Sequence, residues 1–337
     1  MKGNRLHIMD GILTPEWIVL WFLIAAVFIA IGARKIVKKR RENPSFMSII
    51  ALMGAAVFII SIWHLPVAVG GSSGHPTGTA MAAIVIGPFA TVVVTSIALF
   101  FQMFLAHGGI TTLGANTVSM GIVGAFSGYA VYLALRKAGA SFWLSAGLAG
   151  FVGDMLTYMT TALQLALSLH PEAVLSNFAV FAAEFSVIQI PISILEFAFT
   201  AATIQYITRH KPEILTWWRK VTPIPMVPKI QREESPQPAR KSRLDKFTKY
   251  VLIAMFAIVT VMLVSTYVGY SIYGSSIFET RYITVIEDQA RNLGLAFGHV
   301  IELGQMGEYV GFTAAAAVAG LVIGYLFPSI FEQRRNT

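Results

Sequence analysis

Gly70–Gly71–Ser72–Ser73–Gly74–His75–Pro76–Thr77–Gly78–Thr79 is the stretch on which the reading of this chain turns. It is rich in glycine and hydroxyl groups, yet apolar runs flank it: Phe46–Trp63 before it, Thr79–Ile86 and Pro88–Ala106 after it. The whole chain has 337 residues, 55% of them hydrophobic and 12% charged. A soluble domain carries roughly 25% charged residues. The deficit excludes disorder, a nucleic-acid arm and a typical cytosolic enzyme. Several apolar runs near twenty residues instead make this a polytopic membrane protein. There is no cysteine, so disulfides, thiolate metal sites and thiol nucleophiles are excluded as well.

Charge fixes the orientation, because basic loops stay in the cytoplasm. The first run, Trp17–Ala33, is followed by Arg34, Lys35, Lys38, Lys39, Arg40 and Arg41, so the chain starts outside. Phe46–Trp63 then goes back out. Arg136–Lys137, the basic 209–249 stretch and Arg334–Arg335 are the other inner anchors. Counted back from Arg209, Asn177–Ile207 enters, Phe142–Leu169 leaves, Asn116–Leu135 enters and Pro88–Ala106 leaves. Two successive outward crossings, 46–63 and 88–106, require an inward one between them. The candidate is His64–Gly87, whose apolar part, Thr79–Ile86, is far too short for about 30 Å of hydrocarbon. The expectation is a short helix preceded by irregular backbone that dips into the protein. Such backbone is tolerated at membrane depth where protein buries it or where it lines a cavity. Crossing parity therefore marks His64–Thr79 as a binding region.

Beyond residue 208 the composition changes. Residues 209–249 hold six of the fourteen prolines and eleven Lys/Arg, the pattern of a polar cytoplasmic linker. Tyr250–Tyr270 leads out and Tyr309–Phe327 leads back in. The outside loop 271–308 carries Glu279, Glu287, Asp288, Glu302 and Glu308. The expected architecture is all-α: about seven transmembrane helices in residues 1–208, the linker 209–249, and a two-span hairpin in 250–337. The chain would lie in the cell membrane, N-terminus outside, linker and C-terminus in the cytoplasm.

Histidines are the first candidates for chemistry. His7 and His75 fall on the outer side, and His107 at the outer end of its span, beside Gly108–Gly109. His210, in the linker, reads as a surface residue, and His170, before Pro171, as an interfacial one. Several imidazoles on one side, without thiolates, point to a nitrogen-rich site for Ni, Cu, Zn or Fe. The loop glycines let backbone approach a ligand closely. Asp154, Glu184 and Glu196 are carboxylates inside apolar runs, where such groups usually face a bundle interior. Proton relay, structural pairing and partner contact all stay open for them. Ala26–Ala30 and Ala51–Ala55 are small-residue pairs spaced for helix approach. The chain lacks a GxxxxGK[ST] phosphate loop, so it does not hydrolyse ATP by that route. Gly71–Ser72–Ser73–Gly74 matches the GxSG string of rhomboid-type intramembrane serine proteases, a four-residue match in a glycine-rich loop.

His7-Ile8-Met9-Asp10-Gly11 with Leu13, GHPTGT at 74–79, LAHGGITTLGAN at 105–116 and QIPI at 189–192 together resemble the CbiM/NikM family. These are the substrate-binding components of energy-coupling-factor transporters for cobalt and nickel. The resemblance covers roughly residues 6–208. The tail resembles the small CbiN/NikN partner more loosely and lacks its Pro-Asp-Gly-Leu-Glu string, so the layout looks like a fused NikMN or LarMN protein. The resemblance implies a chain beginning Met-His. Its terminal amine, a backbone amide nitrogen and the imidazole of that second residue would hold the metal, with a further histidine, matching His75, completing a nitrogen plane. Here His7 is preceded by Met1–Leu6, which departs from that pattern. No apolar segment precedes a cleavage site, so the extension is not a signal peptide. The expectation is that translation starts at Leu6, through a leucine-type codon read as methionine.

The resemblance thus implies a transporter component, not an enzyme, with no permanently bound cofactor. Its substrate would be Ni(II) or Co(II), nickel favoured by the nitrogen plane and the fused hairpin. The ligands would be His7, His75 and the amine of Leu6. His107, Asn116, Ser73 and Thr77 would support the site. ATPase subunits resembling CbiO/NikO and a transmembrane coupling protein resembling CbiQ/NikQ would be the partners, alongside the lipid bilayer and no nucleic acid. Cobalt uptake for cobalamin synthesis, a proton-driven carrier using Asp154 or Glu184, and an intramembrane serine protease are the alternatives.

Overall fold

The computed structural model describes residues 8, 10–62, 65–67, 72–104, 108–216 and 292–294. Leu6, His7, His64, His107 and His299 lie outside the described residues, as do the linker beyond residue 216 and all of the hairpin except 292–294.

The described chain is mostly helical. Pro15 opens α1 (Pro15–Glu42), where a proline's missing N–H is no loss. Lys39, Arg40 and Arg41 close it and complement the helix dipole. The basic residues expected to form a loop thus extend the helix well past Ala33. α2 (Phe46–Ile62) follows after Asn43–Pro44. Next comes a short antiparallel ribbon, β1 (Leu65–Val67) against β2 (Ser72–Gly74), with Leu65 opposite Gly74. The backbone before the short helix is therefore a ribbon followed by the irregular stretch 75–78, not irregular throughout.

Helix α3 (Thr79–Ile86) has the span read from the apolar run. At 1.5 Å per residue it is about 12 Å long, and all eight of its residues are buried. Gly78, at φ +67°, turns the chain into it, and α4 (Pro88–Met103) follows at once. α3 sits in the middle of the protein, packed on α4 and on the helices that follow. After α4 the chain continues through α5 (Leu113–Asn116), a π-helical segment Thr117–Gly124, and α6 (Ala125–Lys137), one continuous rod whose π-helical segment and α6 pack on α3. α7 (Phe142–Leu169) and α8 (Val174–His210) then pack along much of their length, and a 3₁₀ turn, Pro212–Thr216, ends the described part.

Close packing around α3 depends on glycine. A Cβ on Gly153 of α7 would stand 2.8 Å from the Gly124 carbonyl oxygen and 3.1 Å from Ala80 Cβ. Among the described residues, three helical stretches are long and apolar enough to cross a membrane: Pro15–Glu42, Leu113–Lys137 and Gln189–His210. Val19, Leu23 and Val27 of α1 and Val187 and Ile194 of α8 point outward, as lipid-facing residues would.

Candidate functional site

The residues His75–Gly78 connect the ribbon to α3, and all four are buried. Buried backbone N–H and C=O groups need partners, and a loop this short cannot supply its own. α7 and α8 supply them. The Thr77 N–H donates to Glu196 Oε2 at 2.5 Å, and the Gly78 N–H to Glu196 Oε1 at 3.0 Å. The Thr77 hydroxyl donates to Oε1 at 3.0 Å. The His75 carbonyl accepts from Gln189 Nε2 at 3.2 Å and from the Tyr158 hydroxyl at 3.3 Å. Gln189 Nε2 also reaches Asp154 Oδ2 at 2.5 Å, and the Ser193 hydroxyl donates to that oxygen at 2.6 Å. Asp154 Oδ1 and Gln189 Oε1 are buried with no hydrogen-bond partner among the described residues.

The His75 ring is 2% exposed and meets Tyr158 at 60°, centroids 5.9 Å apart. Its Nδ1 lies 3.1 Å from the Pro76 carbonyl oxygen. A carbonyl can only accept, so Nδ1 carries the proton and Nε2 the lone pair. This is the arrangement in which a histidine ligates a metal while its other nitrogen is held by the protein. The ring borders a small cavity of ≈ 20 Å³, shared with Asn116, Ser119, Met120, Tyr158 and Phe185. That is room for about one water-sized sphere or one ion. The π-helical segment contributes Ser119 and Met120, and Asn116 immediately precedes it; such widened turns recur at functional sites.

The N-terminal segment comes to the same place. Ile8, Ile12 and Leu13 are buried in one cluster with Tyr158, Leu165, Phe181 and Phe185, two of which wall the cavity. The Thr112 hydroxyl donates to the Ile8 carbonyl at 2.5 Å, and Asn116 Nδ2 donates to that hydroxyl at 3.4 Å. Asp10 Oδ1 accepts from the Thr111 N–H at 2.7 Å and the Thr111 hydroxyl at 2.5 Å. The Thr14 N–H donates to Ser168 Oγ at 2.9 Å.

Of the residues nominated from sequence, His75, Asn116 and Thr77 meet in this region. Ser73 lies in β2, two residues ahead of His75. Leu6, His7 and His107 lie outside the described residues, but Ile8, next to His7, is buried beside the cavity wall. Asp154 and Glu196 are fully interior and Glu184 is half-buried. His210 is exposed, and His170 caps α7 near Glu172. The sequence reading quoted Asp10 and Gln189 within motifs but gave them no role, and it missed Tyr158 and what Glu196 holds. A signal was present: Gln189, Ser193, Glu196 and Thr200 fall at i, i+4, i+7 and i+11, a polar stripe on an otherwise apolar helix. Among the described residues no three His, Asp or Glu side chains gather as a metal cluster. The described residues offer one buried imidazole, with neutral amide, hydroxyl and thioether groups around it.

The model of the CbiM family, described as "Cobalt uptake substrate-specific transmembrane region", matches residues 7–214. The chain is 42% identical over 215 residues to the cobalt transport protein CbiM of Geobacter sulfurreducens, a match covering 63% of this chain and 62% of that protein. It is 42% identical over 212 residues to the CbiM of Sorangium cellulosum, covering 62% of this chain and 94% of that one. Among solved structures, a truncated transition metal transporter superposes with TM-score 0.52 at 25% identity, over 60% of this chain and 99% of that one. A bundle of apolar helices folded around one buried histidine loop, with these relatives, makes the chain a member of the CbiM family, a membrane-embedded component of transition-metal transport.

Proposed function

We propose that this chain is the substrate-capture subunit of an ATP-driven, energy-coupling-factor type importer, taking Ni(II) or Co(II) from outside the cell. The observation that carries the reading is His75: buried, its Nδ1 held by the Pro76 carbonyl, its ring on a cavity sized for one ion. The N-terminal segment is bound beside the same cavity wall at Ile8, the residue that follows His7 in the sequence.

On this reading the remaining donors are the His7 imidazole, the amide nitrogen before it and a terminal amine at position 6. Amine and amide close a five-membered chelate ring, and amide and Nδ1 a six-membered one. Four nitrogens in a plane suit Ni(II), or Cu(II), and disfavour the oxygen-seeking Mg(II) and Ca(II). The relatives bear cobalt in their names, and cobalt and nickel are adjacent in the affinity order, so one site can serve both. The mature chain would then begin at Leu6, a point that intact-mass analysis of purified protein decides. All these nitrogens must be deprotonated to bind, so affinity falls as the pH is lowered.

Seven crossings would carry the site, with the N-terminus outside and the linker inside. ATP hydrolysis would occur on separate CbiO/NikO-like subunits, joined through a CbiQ/NikQ-like membrane protein. The exposed Ala26, Ala30 and Ala51 offer small-residue surfaces for that contact. The hairpin 250–327 would help the N-terminal segment open and load metal. The test is metal uptake by cells with and without the ATPase subunits. Uptake that collapses without them supports the coupled reading, and uptake that persists favours a proton-driven carrier. Ser73→Ala leaving uptake intact dismisses the protease.

A further inference from the structure

We infer that Glu196 is a positioning residue for metal capture: from α8 it fixes the backbone that presents His75, and thereby sets the affinity and metal preference of the site. The inference rests on the metal-binding reading of His75 proposed above.

The geometry separates an anchor from a ligand. Each Glu196 oxygen faces a hydrogen-bond donor, Oε2 the Thr77 N–H and Oε1 the Gly78 N–H and the Thr77 hydroxyl. Three donors of the loop thus engage its two oxygens, and the Asp154 carboxyl is its further polar neighbour. These contacts join residues 118 and 119 positions apart in the chain. Both partners are buried, Thr77 at 0% and Glu196 at 1% exposure. They lie one and two residues past Pro76, whose carbonyl holds the His75 ring. A shift of the Thr77–Gly78 backbone must therefore move Pro76 and turn the imidazole. Outer partners of metal ligands act in this way, and their loss typically costs 10–100-fold in metal affinity.

Glutamine is the informative replacement. Its side chain offers one acceptor oxygen and one NH₂, while the loop presents an N–H to each position. No rotamer satisfies both, so one donor would face another and the loop would have to move.

The experiment titrates Ni(II) and Co(II) into the full chain in detergent, and records the ligand-field absorption of the bound ion and the melting temperature. Wild type is compared with E196Q, T77V, T77S and H75A. The expected result for E196Q is a loss of about 10–100-fold in affinity, a displaced absorption band and an altered Ni-to-Co ratio. T77V, which keeps the N–H bond and loses the hydroxyl bond, shifts the same signals less, and T77S restores them. A merely structural role would lower the melting temperature and leave the spectrum of the bound ion unchanged, and that result overturns the inference. Should E196Q fail to fold, the T77V and T77S pair decides: a shift that serine reverses supports the inference, and a wild-type spectrum in T77V overturns it. Full binding by H75A overturns the metal reading itself, and this inference with it, whereas loss in H75A beside wild-type behaviour in folded E196Q overturns the inference alone.

Discussion

The two edges of the cavity are held at different depths. The His75 edge is fixed from within the bundle by two buried carboxylates, through Thr77, Gly78, Gln189 and Ser193. The N-terminal edge is held at the rim, by Thr111 on Asp10, Thr112 on Ile8 and Ser168 on Thr14. Carboxyl groups serve both edges, Glu196 and Asp154 at one and Asp10 at the other. What differs is depth: Asp154 and Glu196 are at 0% and 1% exposure, whereas the bonds of Asp10 and Thr14 are only partly buried. On the proposed reading, the deeper edge carries the fixed ligand and the shallower edge the removable one. A capture site needs both: a fixed ligand that recognises the ion and a removable one that lets it in and out.

The largest expected effect tests the fixed half. His75→Ala should weaken Ni(II) and Co(II) binding by at least about 100-fold with the fold retained, as read by titration calorimetry and thermal melting. Binding within a few-fold of wild type would break the comparison, because the deeper edge would then carry no ligand. Next comes the packing beneath that edge. Gly153→Ala pushes a methyl into the Gly124 carbonyl and Ala80, and should cost about 1–3 kcal/mol of stability as overpacking does. The spectrum of the bound ion should stay unchanged, since no ligand of the ion is touched.

The shallower edge should answer in kinetics. Asp10→Ala removes the acceptor for both Thr111 donors and should speed metal release about tenfold, roughly 1.4 kcal/mol, while the melting temperature moves little. Stopped-flow chelation by an excess of competing ligand reads this directly. A large loss of stability with no change in release would show that the N-terminal edge is as structural as the other. Thr111→Val should give the smallest effect, about 0.5–1.5 kcal/mol for one hydroxyl bond, in the same direction and on the same assay.

Much of the fold was legible. Crossing parity located a buried short helix at Thr79–Ile86 because charge and hydrophobicity are read by the membrane residue by residue, and α3 occupies that stretch. Phe142–Leu169 emerged with the same ends for the same reason. The α1 boundary was missed, since Arg34–Glu42 leave the apolar layer without leaving the helix. The π-helical segment has no local signature in TVSMGIVG. Of the nominated site residues, His75, Asn116 and Thr77 come together, but the residues that hold their loop were not singled out. His75 stands out in a glycine-rich loop, whereas Asp154, Glu184 and Glu196 look alike in sequence. What distinguishes Glu196 is a contact with Thr77 across 119 positions, and no local pattern encodes that pairing. Asp10 and Thr111 meet in the same way across 101 positions.

The central claim is that the ion is held jointly by His75 and the start of the chain. It is met most directly by titrating Ni(II) and Co(II) into full-length protein of verified N-terminus, beside H75A and a form whose terminal amine is acetylated. The account predicts one tight site in the wild-type protein, with binding lost in both altered forms. Undiminished binding after acetylation, with Met1 at the terminus, would contradict it.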